Sequence, residues 1–226
     1  MELWVPSQTL DIHNIHLEPF QPQISQKILM APIKYIDNNV TLDSLVILTP
    51  PIEVIHHDIQ TGRLILSLAD QAHFATKLNM LQSYLASTLF LHQQTFFGFV
   101  NPCLNAEFFR RMFFPLVYNK KLTLYMGVSS RSVRVYDNGA AAAAAATATA
   151  TTEAPQQQQQ QGMHRTLAQG EKVRIAFQIQ GISILTSPAL TILQMATPSI
   201  ATQTDASGSS VCKIRFQQNI RAIYCL

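Results

Sequence analysis

A chain of 226 residues that is 47% hydrophobic can fill a sizeable core, and one β-rich domain of this length is ordinary. Its charged share of 13% is far below the usual ~25%, which leaves neutral or apolar surface for a partner to cover. Three cysteines (Cys103, Cys212 and Cys225), odd in number and without metal-type spacing, argue against a disulfide framework and a zinc site and fit a reducing compartment.

The near-neutral total hides an asymmetry. Residues 1–107 carry a balance of −5 and residues 108–226 a balance of +8. A basic half points to an anionic partner, nucleic acid foremost, unless the two halves neutralise each other across the fold. The N-terminus lacks the basic start and apolar run of a signal peptide. No stretch reaches the roughly 18 uninterrupted apolar residues of a membrane span. The expected location is therefore intracellular.

In chain order, residues 1–26 are rich in Pro, Gln, His and Asn and read as an extended lead-in. Lys27 to Tyr35 alternates as a first strand, with Pro32 marking an edge or bulge. Ser44 to Thr49 is a short apolar strand ended by Pro50-Pro51. Ile52 to Ile55 and Arg63 to Leu68 flank Thr61-Gly62 as a hairpin. The period then changes. From Asp70 to about Gln93, Phe74, Leu78, Leu81, Leu85 and Leu89 recur at spacings of three and four, one face of an amphipathic helix with Asp70 as its N-cap.

Residues 96–118 form an aromatic cluster, including Phe96, Phe113 and Phe114, with Arg110-Arg111 inside it. Lys121 to Met126 and Arg131 to Tyr136 read as a second hairpin-like pair. Residues 138–162, an Ala/Thr tract followed by Gln156 to Gln161, read as a low-complexity loop inserted between strands. Glu171 to Ile184 alternates strictly in its first part, through Val173, Ile175, Phe177 and Ile179. Leu190 to Met195 is a further strand candidate before a polar loop, Thr197 to Ser210. Val211 to Tyr224 alternates again, and the chain ends on a strand. The expected fold is mainly β with one central amphipathic helix, an OB-like barrel extended by extra C-terminal strands, with a plain β-sandwich as the competing architecture. The domain is expected to span residues 27–226.

No phosphate-cradling glycine motif is present. His56-His57-Asp58 is the one compact group of ligand-type side chains, too few for a metal and read as structural or solvent-facing. No nucleophile–base arrangement or acidic pair assembles, so no catalytic residue, metal or cofactor is expected. What recurs is a strand with basic residues on one face: Arg131 and Arg134, then Lys172 and Arg174, then Lys213 and Arg215. Arg110, Arg111, Lys120 and Lys121 add charge, and Tyr118, Tyr125 and Tyr136 lie between. Basic side chains track phosphates while exposed rings stack bases, so these twelve residues other than Tyr118 are the candidate nucleic-acid-binding set.

The segments Ile33-Lys34-Tyr35, Leu45-Val46-Ile47-Leu48-Thr49-Pro50-Pro51-Ile52 and Gly62-Arg63-Leu64-Ile65-Leu66, followed by a helix, resemble the single-stranded-DNA-binding proteins of large nucleocytoplasmic DNA viruses. Phe114-Pro115, Lys121-Leu122-Thr123-Leu124, Val133-Arg134-Val135-Tyr136 and Gly170-Glu171-Lys172-Val173 extend the likeness. It covers residues 27–226 without the low-complexity insert. The resemblance implies an OB-like core and sequence-tolerant binding of single strands in viral DNA replication or repair, with DNA favoured over RNA. The alternative expectation is a viral structural or minor virion protein making protein–protein contacts or self-associating. The low charged fraction and the Phe96–Phe114 cluster favour that alternative.

Deleting residues 140–161 is expected to leave the melting temperature and ligand binding nearly unchanged, because a polar low-complexity loop has little core to lose. A large fall in the melting temperature of the deletion variant would show that this segment is part of the fold.

Overall fold

The computed structural model describes residues 4–22, 28–37, 40–126, 134–136, 166–185 and 213–226. The chain runs β1 (Val5–Pro6), a 3-10 turn (Ile12–Asn14), β2 (Ile15–Leu17), β3 (Gln21–Pro22), β4 (Ile28–Asp37), β5 (Val40–Leu42), β6 (Leu45–Leu48), β7 (Ile52–Asp58) and β8 (Arg63–Ser67). Three helices follow: α1 (Ala72–Leu91), α2 (Gln93–Phe97) and α3 (Ala106–Met112). The remaining strands are β9 (Val117–Tyr118), β10 (Lys121–Tyr125), β11 (Arg134–Tyr136), β12 (Lys172–Leu185) and β13 (Arg215–Cys225). The fold is mainly β, a curled half-barrel consistent with an OB-like plan. The low-complexity insert, Arg131 and the strand expected at Leu190 to Met195 lie outside the described residues.

The 14-residue β12 organises the sheet. One of its edges pairs with β13 from Val173 to Ser183. The other edge pairs in turn with β7 at Lys172–Val173, β6 at Ala176–Ile179 and β4 at Gly181–Leu185. From β7 the sheet continues through β8 and β10 to β9, all antiparallel. It curls until the Gln218 side chain of β13 donates to the Thr123 carbonyl of β10 at 3.1 Å.

Alternation in β12 puts Val173, Ile175, Phe177 and Ile179 on the concave face, each fully buried. Gln180 is then an extra residue in the ladder, between Ile179↔Gln218 and Gly181↔Gln217. Such a bulge reverses the side-chain parity, so beyond it Ile182 and Ile184 face the core. A matching extra residue, Arg221, separates Ile220 from Ala222 in β13. At Gly181 the backbone of β4 comes so close that a Cβ would stand 2.3 Å from the Ala31 carbonyl oxygen.

α1 fills the concave face. Phe74, Leu78, Leu81, Leu85 and Leu89 are all buried, as their spacing implies. The helix begins one residue later than expected: Gln71, not Asp70, is the N-cap, and its side chain donates to the Pro51 carbonyl. Gly98 closes α2 at φ 76°, the left-handed conformation that glycine adopts without penalty. The aromatic cluster is largely core packing around α3, whose N-cap Asn105 accepts from Phe108 N–H at 2.8 Å. Phe97 stacks on Phe109 and Phe113 packs on Phe216, while Phe114 remains exposed.

Two expectations are corrected. Residues 4–22 are not a detached lead-in: Leu10, Ile12 and Ile15 are buried. Lys77 of α1 holds this segment by donating to the carbonyls of Ser7, Gln8 and Leu10 at 2.8, 2.7 and 3.3 Å. Nor do β10 and β11 form a hairpin. β10 pairs with β8 and β9, whereas β11 lies parallel to β13, with Tyr136 opposite Tyr224.

Leu85→Ala is expected to cost about 2–5 kcal/mol in urea unfolding, the range for emptying a fully buried leucine site. Gly181→Ala is also expected to destabilise, because its methyl group meets backbone rather than a movable side chain. A Gly181→Ala protein as stable as wild type would contradict the close approach of β4 to β12.

Candidate nucleic-acid interface

The convex face of the sheet carries the side chains that the helices leave uncovered. Directly opposed strand partners share a face, so the ladder identifies its rows. One row runs Lys172 (β12), Glu53 (β7), Ser67 (β8), Lys121 (β10) and Tyr118 (β9). Lys172, Glu53, Lys121 and Tyr118 are exposed, Tyr118 by 68%. At about 4.8 Å per strand step, Lys172 and Lys121 stand about 14 Å apart along the sheet. A parallel row ends at Tyr125 (β10), opposite Arg63 and then Asp58.

Two residues along from Lys172, on the same face, Arg174 opposes Tyr224, which opposes Tyr136. Tyr136 and Tyr224 stack with ring centroids 4.8 Å apart and planes 9° from parallel. Trp4 meets Tyr224 edge-on at 5.6 Å and belongs to a small apolar cluster with Val46, Leu48, Ala176 and Ala222. Arg174 Nε and Trp4 Nε1 are buried without a hydrogen-bond partner.

Lys120 and Asn119 form the two-residue turn between β9 and β10, at φ 57° and φ 48°. Positive φ at both central positions is the type I′ hairpin geometry, in which glycine is preferred at the second position. Lysine stands there instead, exposed, and its carbonyl accepts from Leu68 N–H at 2.7 Å.

The sequence-expected set therefore divides. Lys120, Lys121, Tyr125, Tyr136, Lys172 and Arg174 lie toward one end of the convex face. Arg134 has its backbone in β11, opposite Ala222. Lys213 and Arg215 are exposed but do not join this group: antiparallel pairing sets Arg215 opposite Ser183, nine residues or about 30 Å along β13 from Tyr224. Lys213 and Arg215 thus do not line one groove with Lys172 and Arg174. Arg110 and Arg111 sit on α3, away from the sheet face, and both bond the Glu107 carboxylate at 2.7 and 3.0 Å. Hydrogen bonds from Arg110 and then Arg111 hold the Glu107 carboxyl down at about 2. The one carboxylate offsets one of their two charges, and both remain exposed. Trp4, Tyr224 and Glu53 belong to the face without having been singled out from the sequence.

Among the described residues, no three His, Cys, Asp or Glu side chains gather as a metal site, and no helix is long and apolar enough to cross a membrane. Cys225 is buried in β13. Compared with protein-family models, curated proteins and solved structures, the chain matches none.

His57, within the one compact group of ligand-type residues, has a structural place. Its Nδ1 accepts from Leu167 N–H at 3.1 Å and its Nε2 lies 3.2 Å from the Met126 sulfur. An accepting Nδ1 requires the neutral ring with its proton on Nε2. Burial lowers its pKa below the ordinary 6.5, against the opposing charge of Asp58 and with the help of His56. The unfolded chain therefore takes up this proton first. The stabilisation from His57 is complete above about pH 6.5 and is lost as pH falls through the lower folded value. Urea unfolding at about pH 7.5 and about pH 5.5 is expected to show wild type losing more stability on acidification than His57→Gln. Equal losses would show that His57 titrates alike in both states.

Proposed function

We propose that the chain is a sequence-tolerant single-stranded-DNA-binding module, not an enzyme, that holds its ligand on the convex face of the sheet. The observation that carries this reading is the row placing Lys172, Lys121 and Tyr118 on one open face, with Arg174 two residues from Lys172 and Lys120 at the adjoining turn. Cations attract phosphates whatever the sequence, and exposed rings offer stacking to unpaired bases, which a duplex does not present. The left-handed lysine at Lys120 adds to this. A strained position that keeps a charged side chain where glycine would be cheaper is explained by a task for the ammonium group. The resemblance to single-stranded-DNA-binding proteins of large DNA viruses supports a place in viral DNA replication or repair.

The second reading is a virion structural protein. It draws on exposed apolar side chains, Met80 and Leu91 on α1 with Val100 and Phe114 beyond it. The Phe96–Phe114 cluster lends it less weight than the sequence implied, being mostly buried.

Fluorescence anisotropy of labelled oligo-dT over a salt series separates the two readings. Four phosphate contacts, from Lys120, Lys121, Lys172 and Arg174, give a slope of roughly −2.8 in log K against log salt. Lys121→Ala or Lys172→Ala is expected to reduce the slope by about 0.7 each. Arg110→Ala is expected to leave it unchanged, and Glu53→Gln to tighten binding. Lys120→Gly is expected to weaken binding while raising Tm by about 2–4 °C, since glycine relieves the left-handed strain. Failure to bind at low salt, or equal affinity for duplex and single strand, would refute the proposal. Self-association through α1 would then favour the structural reading.

A further inference from the structure

We infer that Trp4, Tyr136, Tyr224 and Arg174 form a base-stacking subsite for an unpaired nucleobase of the bound strand; this rests on the single-strand reading above. Tyr136 and Tyr224 are already stacked as successive bases would be, and among the described residues β11 pairs only with β13, so the two-ring column lies at the edge of the described sheet. Among the described residues no further ring stacks on Tyr136. A planar heteroaromatic ring continues such a column where an aliphatic group would not.

The donors around the column narrow the ligand. Trp4 Nε1 and Arg174 Nε are buried N–H groups with no acceptor, a condition rare enough in folded proteins to call for an explanation. Arg174 also has no acidic partner among the described residues, unlike Arg110 and Arg111. Both Trp4 and Arg174 are only half-buried as residues, which puts their donors close beneath the surface. A nucleotide offers what is missing: carbonyl oxygens on the base edge and an anionic phosphate for the guanidinium. Ala176 and Ala222, exposed by 0% and 1%, are the small residues of this cluster and leave room for the indole beside Tyr224. β1, β11, β12 and β13 together supply the site, with Arg174 two residues along β12 from Lys172 of the basic row.

Trp4 is the only tryptophan in the chain, so its emission reports on this cluster alone. Wild-type protein is titrated with unlabelled oligo-dT, following Trp4 emission in parallel with displacement of a labelled oligo-dT by anisotropy. The expected result is saturable quenching with the same midpoint as displacement. Tyr136→Ala is expected to weaken binding on the order of tenfold with the salt slope unchanged, and Arg174→Gln to lower the slope by about 0.7. Thymidine monophosphate is expected to quench only at far higher concentration. Displacement without any change in Trp4 emission would overturn the subsite while leaving the convex-face reading standing. Absence of oligo-dT binding by either readout would overturn both. Quenching by thymidine monophosphate as tight as by oligo-dT would overturn the inference in favour of a free-nucleotide site. The wild-type emission and displacement arms need no variant to fold.

Discussion

The structure depends on the backbone ladder of β12. Both edges of this strand are hydrogen-bonded over most of its length, one to β13 and the other to β7, β6 and β4 in succession. A strand buried between neighbours on both edges must satisfy every N–H and C=O within the sheet, because water cannot reach them. That requirement places segments far apart in sequence, β4, β6 and β7 on one side and β13 on the other, along the two edges of one strand. It also places the loop ahead of β12 against β7, where Val54 N–H donates to Glu171 and Gly170 N–H donates to Val54.

The same ladder determines which side chains can meet a ligand. Period-two alternation turns Val173, Ile175, Phe177 and Ile179 into the core beneath α1 and turns Lys172 and Arg174 outward. The bulges at Gln180 and Arg221 reset that alternation half-way along the hairpin, so one continuous strand serves a single core with two different parities. Curling completes the division. With α1 and α3 filling the concave side, the convex side is the one where cations and rings stand uncovered. Several cations elsewhere are engaged by their own surroundings: Arg110 and Arg111 by Glu107, Lys77 by three carbonyls, and Arg221 by the Gln178 side chain.

Local periodicity was readable from the residues. The leucine stripe of α1, the apolar run of β6, the turn between β7 and β8 and the alternation of β4, β10 and β12 are local patterns, and each marks the element that forms. Pairing was not readable, because it is decided by contacts distant in sequence. The paired look of residues 121–126 and 131–136 suggested a hairpin, yet β11 seats beside β13. Lys213 and Arg215 have the same strand format as Lys172 and Arg174, but antiparallel register carries them to the opposite end of the sheet. Trp4 was hidden in a segment whose composition looks extended, and the Lys77 bonds that fix that segment have no sequence signature. The pairing of Arg110 and Arg111 with Glu107 was missed although its signal is local: Glu107 lies three and four residues before them, the spacing of helical ion pairs. α3 was not read within the aromatic cluster, although the Asn105 cap and the spacing of Phe108, Phe109 and Met112 mark it.

The central claim, that the convex face is where a single strand lies, is tested most directly by ultraviolet crosslinking of the protein to oligo-dT, with the attached peptides mapped by mass spectrometry. Crosslinks are expected at Tyr118 and Tyr125 and in the peptides containing Tyr136 and Tyr224. Crosslinks confined to α1, α3 or the Lys213–Arg215 end of β13 would contradict the account.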